Sequence, residues 1–261
     1  MMARLASLPG IAPLLACAAL LAAWELAARA IGIDGLPPAS QALAQVPVIL
    51  GDPESLLNIA DSLRRMATGF ALALCVAIPI GLTMGRSRQV AAFFNPLLTV
   101  IYPVPKAALM PIIMLWLGVG DASKTLVIFL GVSLPVVYHS YQGSRAVEEK
   151  ILWSAAAMGM GAPARLARIV LPAALPEILV GCRTGLVLAL ITMVTSEMIA
   201  RQTGIGNILF NSLDMAQYDT VYATIVIIGV LGYTLDLAFE SVRGRLVGWA
   251  APAHDIVAGT T

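Results

Sequence analysis

PEILVGCRTGLVLALITMVTSEMIA, residues Pro176 to Ala200, is a run of 25 residues that is apolar over most of its length. A helix needs roughly 20 such residues to cross the hydrocarbon core of a bilayer. Five more stretches read the same way: Ile11 to Ile31, Ser62 to Met84, Phe93 to Leu117, Thr125 to Tyr141 and Val221 to Phe239. The expected fold is all-α, a polytopic membrane protein with about six transmembrane helices in one domain spanning residues 1–261.

Composition points the same way. The chain is 59% hydrophobic and 12% charged, whereas a soluble domain carries about twice that charged fraction. A net charge of +1 provides no field for a nucleic acid partner; the expected surroundings are membrane lipids. Cys17, Cys75 and Cys182 lie in apolar stretches without C-x-x-C spacing, so they read as small buried hydrophobes rather than metal ligands or disulfides. His139 and His254 form no cluster, and no metal site is expected. Arg4 followed by Ile11 to Ala23 has the pattern of a signal peptide. The apolar run continues to Ile33, however, long enough to remain as an uncleaved first span.

The third span is irregular. It holds Pro96, Pro103, Pro105 and Pro111, so it is expected to be kinked or broken. A break at membrane depth is tolerated where the freed backbone is buried in protein or lines a cavity. Lys106 lies midway along this span, and Pro103, Pro105 and Lys106 are candidates for the solute path. Charges inside spans are costly and are usually functional or paired. Arg183, Glu197 and Asp236 are candidates for intramembrane ion pairing.

Basic residues set orientation. With the N-terminus inside, Arg4, Arg86, Arg88, Arg145, Lys150, Arg165, Arg168, Arg243 and Arg245 are cytoplasmic, and only Lys124 and Arg201 fall in exterior loops. The expected location is the cell inner (plasma) membrane, multi-pass, with both termini cytoplasmic. A single cytoplasmic loop is long, at about 142–174, and Ile151 to Ile169 within it has helical composition.

That loop contains Trp153-Ser-Ala-Ala-Ala-Met-Gly159, then nine residues, then Ile169-Val-Leu171-Pro172. The pattern resembles the E-A-A-x3-G-x9-I-x-L-P loop of binding-protein-dependent ABC transporter permeases. Ala155, Gly159, Ile169, Leu171 and Pro172 match it, while Trp153 replaces the Glu and Ser154 the first Ala. Tyr102-Pro-Val-Pro-Lys-Ala-Ala-Leu-Met-Pro111, Leu115-Trp-Leu-Gly-Val-Gly120, Trp24-Glu25-Leu26, Leu171-Pro-Ala-Ala-Leu-Pro176 and Glu197-Met198 are similar to the nitrate/sulfonate/taurine-like subfamily.

The resemblance implies an ABC importer permease fold, a homodimeric core, separate ABC ATPase subunits and an extracytoplasmic solute-binding protein. It also implies that the loop is an ATPase-coupling element, made here by Trp153, Ser154, Ala155, Gly159, Ile169, Leu171 and Pro172. The function it implies is import of a small polar solute, such as a sulfonate, taurine or nitrate, by alternating access. ATP is then used by the partner subunit, and no cofactor is expected on this chain.

Gly118-Val-Gly-Asp-Ala-Ser-Lys124-Thr125 approaches a phosphate-binding loop, but Ser123 replaces the second Gly and no strand precedes it. It reads as a short connection between spans. Gly81-x-x-x-Gly85 and Gly181-x-x-x-Gly185 read as helix-packing positions. Two rival functions remain. A secondary carrier or channel leaves the long loop unused, and an intramembrane enzyme needs convergent catalytic groups that no motif supplies.

Overall fold

The computed structural model describes residues 11–249, and Arg4 and His254 lie outside them. Eleven α-helices are named here: α1 (Ile11–Ile31), α2 (Ala39–Gly51), α3 (Pro53–Arg86), α4 (Arg88–Ile101), α5 (Met110–Leu117), α6 (Asp121–Ala146), α7 (Glu149–Ala157), α8 (Ala162–Arg165), α9 (Leu171–Ala200), α10 (Ile205–Asp214) and α11 (Tyr218–Leu246). A 3-10 turn (Lys106–Leu109) precedes α5, and a π-helical turn (Leu166–Val170) joins α8 to α9. No strand occurs among the described residues. Five spans are continuous, and the sixth is the pair Arg88–Ile101 and Lys106–Leu117, bent by 86°.

Contacts between helix ends establish that the bent pair is a crossing. Arg65, in the first half of α3, binds Asp121, the first residue of α6. Ser144, at the end of α6, donates to the Leu82 carbonyl near the end of α3 at 2.8 Å. The two helices are antiparallel, so the chain leaves α3 at one face of the bundle and enters α6 at the other. Only α4 and α5 lie between. Six traversals bring the end of α11 to the same face as the start of α1. That face also carries residues 147–170; it is called the loop end below.

α3, α6 and α9 form the core. Close approach explains the glycines on their contacts. A Cβ at Gly181 would stand 2.6 Å from His139 Cβ, one at Gly185 3.0 Å from Val132, and one at Gly69 2.8 Å from Ile128. Gly81 and Gly85 are likewise filled by Ser140 and Ser144 of α6. Both G-x-x-x-G pairs therefore act as packing positions. Between them lie Ala73, Ala77, Val132, Val136, Ala189 and Met193, all inaccessible to solvent.

At the opposite end, Asp52 caps α3 by accepting from the Ser55 N–H at 2.8 Å, and the Ser55 hydroxyl together with that N–H holds its carboxyl below the usual range. Trp24 donates to the Pro37 carbonyl at 3.1 Å, and Glu25 accepts from the Ser40 N–H at 2.9 Å. These bonds set the corner between α1 and α2. Leu14, Leu20 and Leu26 of α1 point outward. Cys182 is buried as expected, but Cys17 and Cys75 are exposed. They occupy the outward faces of apolar helices, where a bilayer rather than a protein core accounts for their neighbours.

Candidate functional site

The candidate coupling segment is a helix, a tight turn and a second helix. α7 ends in a Schellman turn: the Gly159 N–H donates to the Ala156 carbonyl at 2.9 Å and the Met160 N–H to the Ala155 carbonyl at 3.0 Å. The turn requires a left-handed residue, and Gly159 has φ +84. Among the described residues, apart from its own chain neighbours, no atom lies within 4 Å of where its Cβ would stand. The glycine thus meets a backbone need, since a Cβ in this conformation costs about 1–2 kcal/mol. Ala155 is the buried residue of α7, whereas Trp153 and Met158 stand 62% and 78% exposed. Ser154 returns its hydroxyl to the Lys150 carbonyl at 2.9 Å.

Ile169, Leu171 and Pro172 do not end the loop at a break. Pro172 has no N–H to offer, and the helix absorbs this by widening. The Leu171 N–H reaches back to the Leu166 carbonyl, closing a π turn. Residues from Ala162 to Ala200 consequently form one apolar helical body of 39 residues. The polar stretch from Gln142 to Ala146 belongs to α6, so the loop proper is shorter than the sequence reading of about 142–174.

Pro103, Pro105 and Lys106 sit at the break of the bent span. The Lys106 ammonium donates to the carbonyls of Ile101 at 2.6 Å and Val104 at 2.5 Å. At the break the Ile101 carbonyl keeps only a turn bond from the Val104 N–H at 3.2 Å, and a cation at a helix C-terminus completes its bonding. Lys106 therefore holds the bend, and its charge lies next to backbone oxygens at a half-exposed point of the span.

The three candidate pairing residues belong to two separate networks. Arg183 of α9 grips Asp236 of α11 through Nε and Nη2, both at 2.7 Å, with Glu240 nearby. Glu197 lies at the opposite end, fully buried. It accepts from Arg65 Nη1 at 2.9 Å, Ser62 Oγ at 2.8 Å and the Gly206 N–H at 3.1 Å. Arg65 also binds Asp121 and the Thr203 carbonyl and hydroxyl. Lys124 donates to the Thr203 carbonyl at 3.0 Å, and Asn58 accepts from the Gly204 N–H at 2.6 Å. Gly204 has φ +118 and lies against the Glu197 carboxylate, where a side chain has no room.

Sequence reasoning missed Arg65 and misplaced Lys124. Lys124 was assigned to an exterior loop, yet it is 1% exposed in the first turn of α6. The signal available was the Arg64–Arg65 pair at the edge of an apolar run; an arginine there demands a carboxylate. His139 is satisfied by Glu177 at 2.8 Å, which ties α6 to α9.

Residues 77–247 match the family described as binding-protein-dependent transport system inner membrane component. The chain is 32% identical over 220 residues to the taurine transport system permease protein TauC of Escherichia coli (strain K12), covering 82% of this chain and 80% of that protein. It is 29% identical over 242 residues to the putative aliphatic sulfonates transport permease protein SsuC of Bacillus subtilis (strain 168), covering 90% and 86%. It is 28% identical over 235 residues to the nitrate import permease protein NrtB of Synechocystis, covering 87% and 85%. Its fold is similar to a chain of the inward-facing MetNI methionine ABC transporter, with TM-score 0.63 at 12% identity, covering 74% of this chain and 95% of that one. The family match spans most of the bundle, and the chain belongs to the binding-protein-dependent transport system inner membrane components, as a transport subunit rather than an enzyme.

Proposed function

We propose that this chain is the translocating subunit of an ATP-driven importer for a small anion of the sulfonate, taurine or nitrate kind. The observation that carries the coupling part is the projecting helix and turn from Glu149 to Gly159, with Trp153 and Met158 exposed beside a glycine turn. Such a surface suits a groove on a motor protein. Family membership implies an ATPase and a solute-binding protein as partners. ATP is bound and used by the ATPase, and this chain holds no cofactor of its own. A second copy of the chain completes the pathway; the exposed apolar face of the bent span, with Tyr102, Leu115 and Trp116, supports that pairing.

The loop end faces the cytoplasm in this reading, with both chain termini there. The supporting asymmetry is the concentration of Arg and Lys at that end, which the burial of Lys124 sharpens. ATP binding closes the motor, the coupling segment moves with it, and the spans alternate between outward and inward openings. The anion preference rests on the relatives and on Lys106 at the break of the third crossing.

The test is reconstitution of the permease with its ATPase and binding protein in proteoliposomes. Uptake of labelled taurine, an alkanesulfonate or nitrate that requires ATP and all three components is the expected result. Uptake that proceeds without the ATPase would return the secondary-carrier reading.

A further inference from the structure

A cavity of about 550 Å³ opens between the loop-end elbow of α3 and α4 and the underside of the coupling segment. Arg86 and Val90 line one wall, and Leu152, Trp153, Arg165 and Leu166 the other. Arg86 donates a hydrogen bond to the Val147 carbonyl and Arg165 one to the Leu152 carbonyl, both at 3.4 Å. Among the described residues the Nε of each guanidinium has no partner. Glu149 at the rim is the cavity's single carboxylate against these two cations. Two guanidiniums, each spending only one long carbonyl bond, stand beside an apolar wall and suit an anion that carries apolar bulk.

The position of the cavity narrows the source. The apolar part of α3 runs to Met84, and α4 begins at Arg88, so the cavity stands where the spans leave the hydrocarbon. Free phosphate would satisfy the arginines but leave Val90, Leu152 and Leu166 against water. We propose that this cavity binds the phosphate headgroup of an anionic phospholipid, with the upper acyl carbons on the apolar wall. The lipid then bridges the α3–α4 elbow and the coupling segment.

The test is native mass spectrometry of the permease purified with its ATPase, after equilibration with equal amounts of phosphatidylglycerol and phosphatidylethanolamine. The wild-type complex retains phosphatidylglycerol selectively. R86Q combined with R165Q lowers that retention at least about tenfold, whereas R88Q, which alters an exposed arginine outside the lining, does not. V90W keeps every charge but fills the cavity, and it lowers retention similarly. Equal retention of both lipids, or unchanged retention in R86Q/R165Q and V90W, overturns the proposal. Displacement of the lipid by millimolar inorganic phosphate assigns the site to free anions and overturns the lipid source. A wild-type complex that retains no phosphatidylglycerol also overturns it, since the motor protein then fills the space.

Discussion

Arg65 and Glu197, 132 residues apart in sequence, meet at 2.9 Å with 3% and 0% of their side chains exposed. Removing one partner of such a buried pair leaves an uncompensated charge and costs about 3–5 kcal/mol. Arg65→Ala and Glu197→Ala are each expected to lower the thermal stability of the detergent-purified permease. The double variant should cost less than the sum of the two, with coupling of roughly 0.5–3 kcal/mol. Additive effects would show that the two residues do not depend on one another.

Gly159 separates backbone need from partner contact. Gly159→Asp is expected to insert in the membrane normally but to lose both ATPase binding and transport. Gly159→Asn should retain more of each, because Asn enters the left-handed region more readily than other side chains. Co-purification of the ATPase alongside uptake measurements checks both variants. Full ATPase recovery with full transport in Gly159→Asp would refute this segment as the coupling element.

Lys106 carries two assignments that one pair of variants distinguishes. Lys106→Gln keeps amide donors for the Ile101 and Val104 carbonyls but removes the charge. It is expected to fold as wild type while uptake of an anionic substrate falls at least about tenfold. Lys106→Met removes the donors as well and should also lower thermal stability. Unchanged anion uptake in Lys106→Gln would confine Lys106 to holding the bend.

Orientation has a direct check. Reporter fusions after Asp52 and after Asp214 are expected to read exterior. Fusions after Glu149 and after Arg245 are expected to read cytoplasmic. An exterior signal after Glu149 would invert the assignment of the coupling segment.

The six crossings and the break in the third were legible because hydropathy and proline act locally. Helical structure within residues 151–169 was legible from composition, and α7, α8 and the π turn fill most of that stretch. Its turn was not: nothing in the spacing shows that Gly159 caps a helix, as its φ of +84 does. The charge networks were hidden for a different reason. Nothing adjacent to Glu197 in sequence marks Arg65 or Ser62 as its partners; packing of α3 against α9 creates that neighbourhood. Lys124 was misread because four polar or small residues before an apolar run look like a loop, whereas they form the first turn of α6.

The helical body from Ala162 to Ala200 has mechanical significance. At 1.5 Å per residue its 39 residues extend about 58 Å. One tip lies in the segment proposed to meet the motor, and Glu197 sits near the other. The widened turn at Leu166–Val170 lets this rod pass Pro172 without a hinge. In the proposed reading, a push on α8 travels along this rod as a lever stroke and is resisted at the Glu197 anchor.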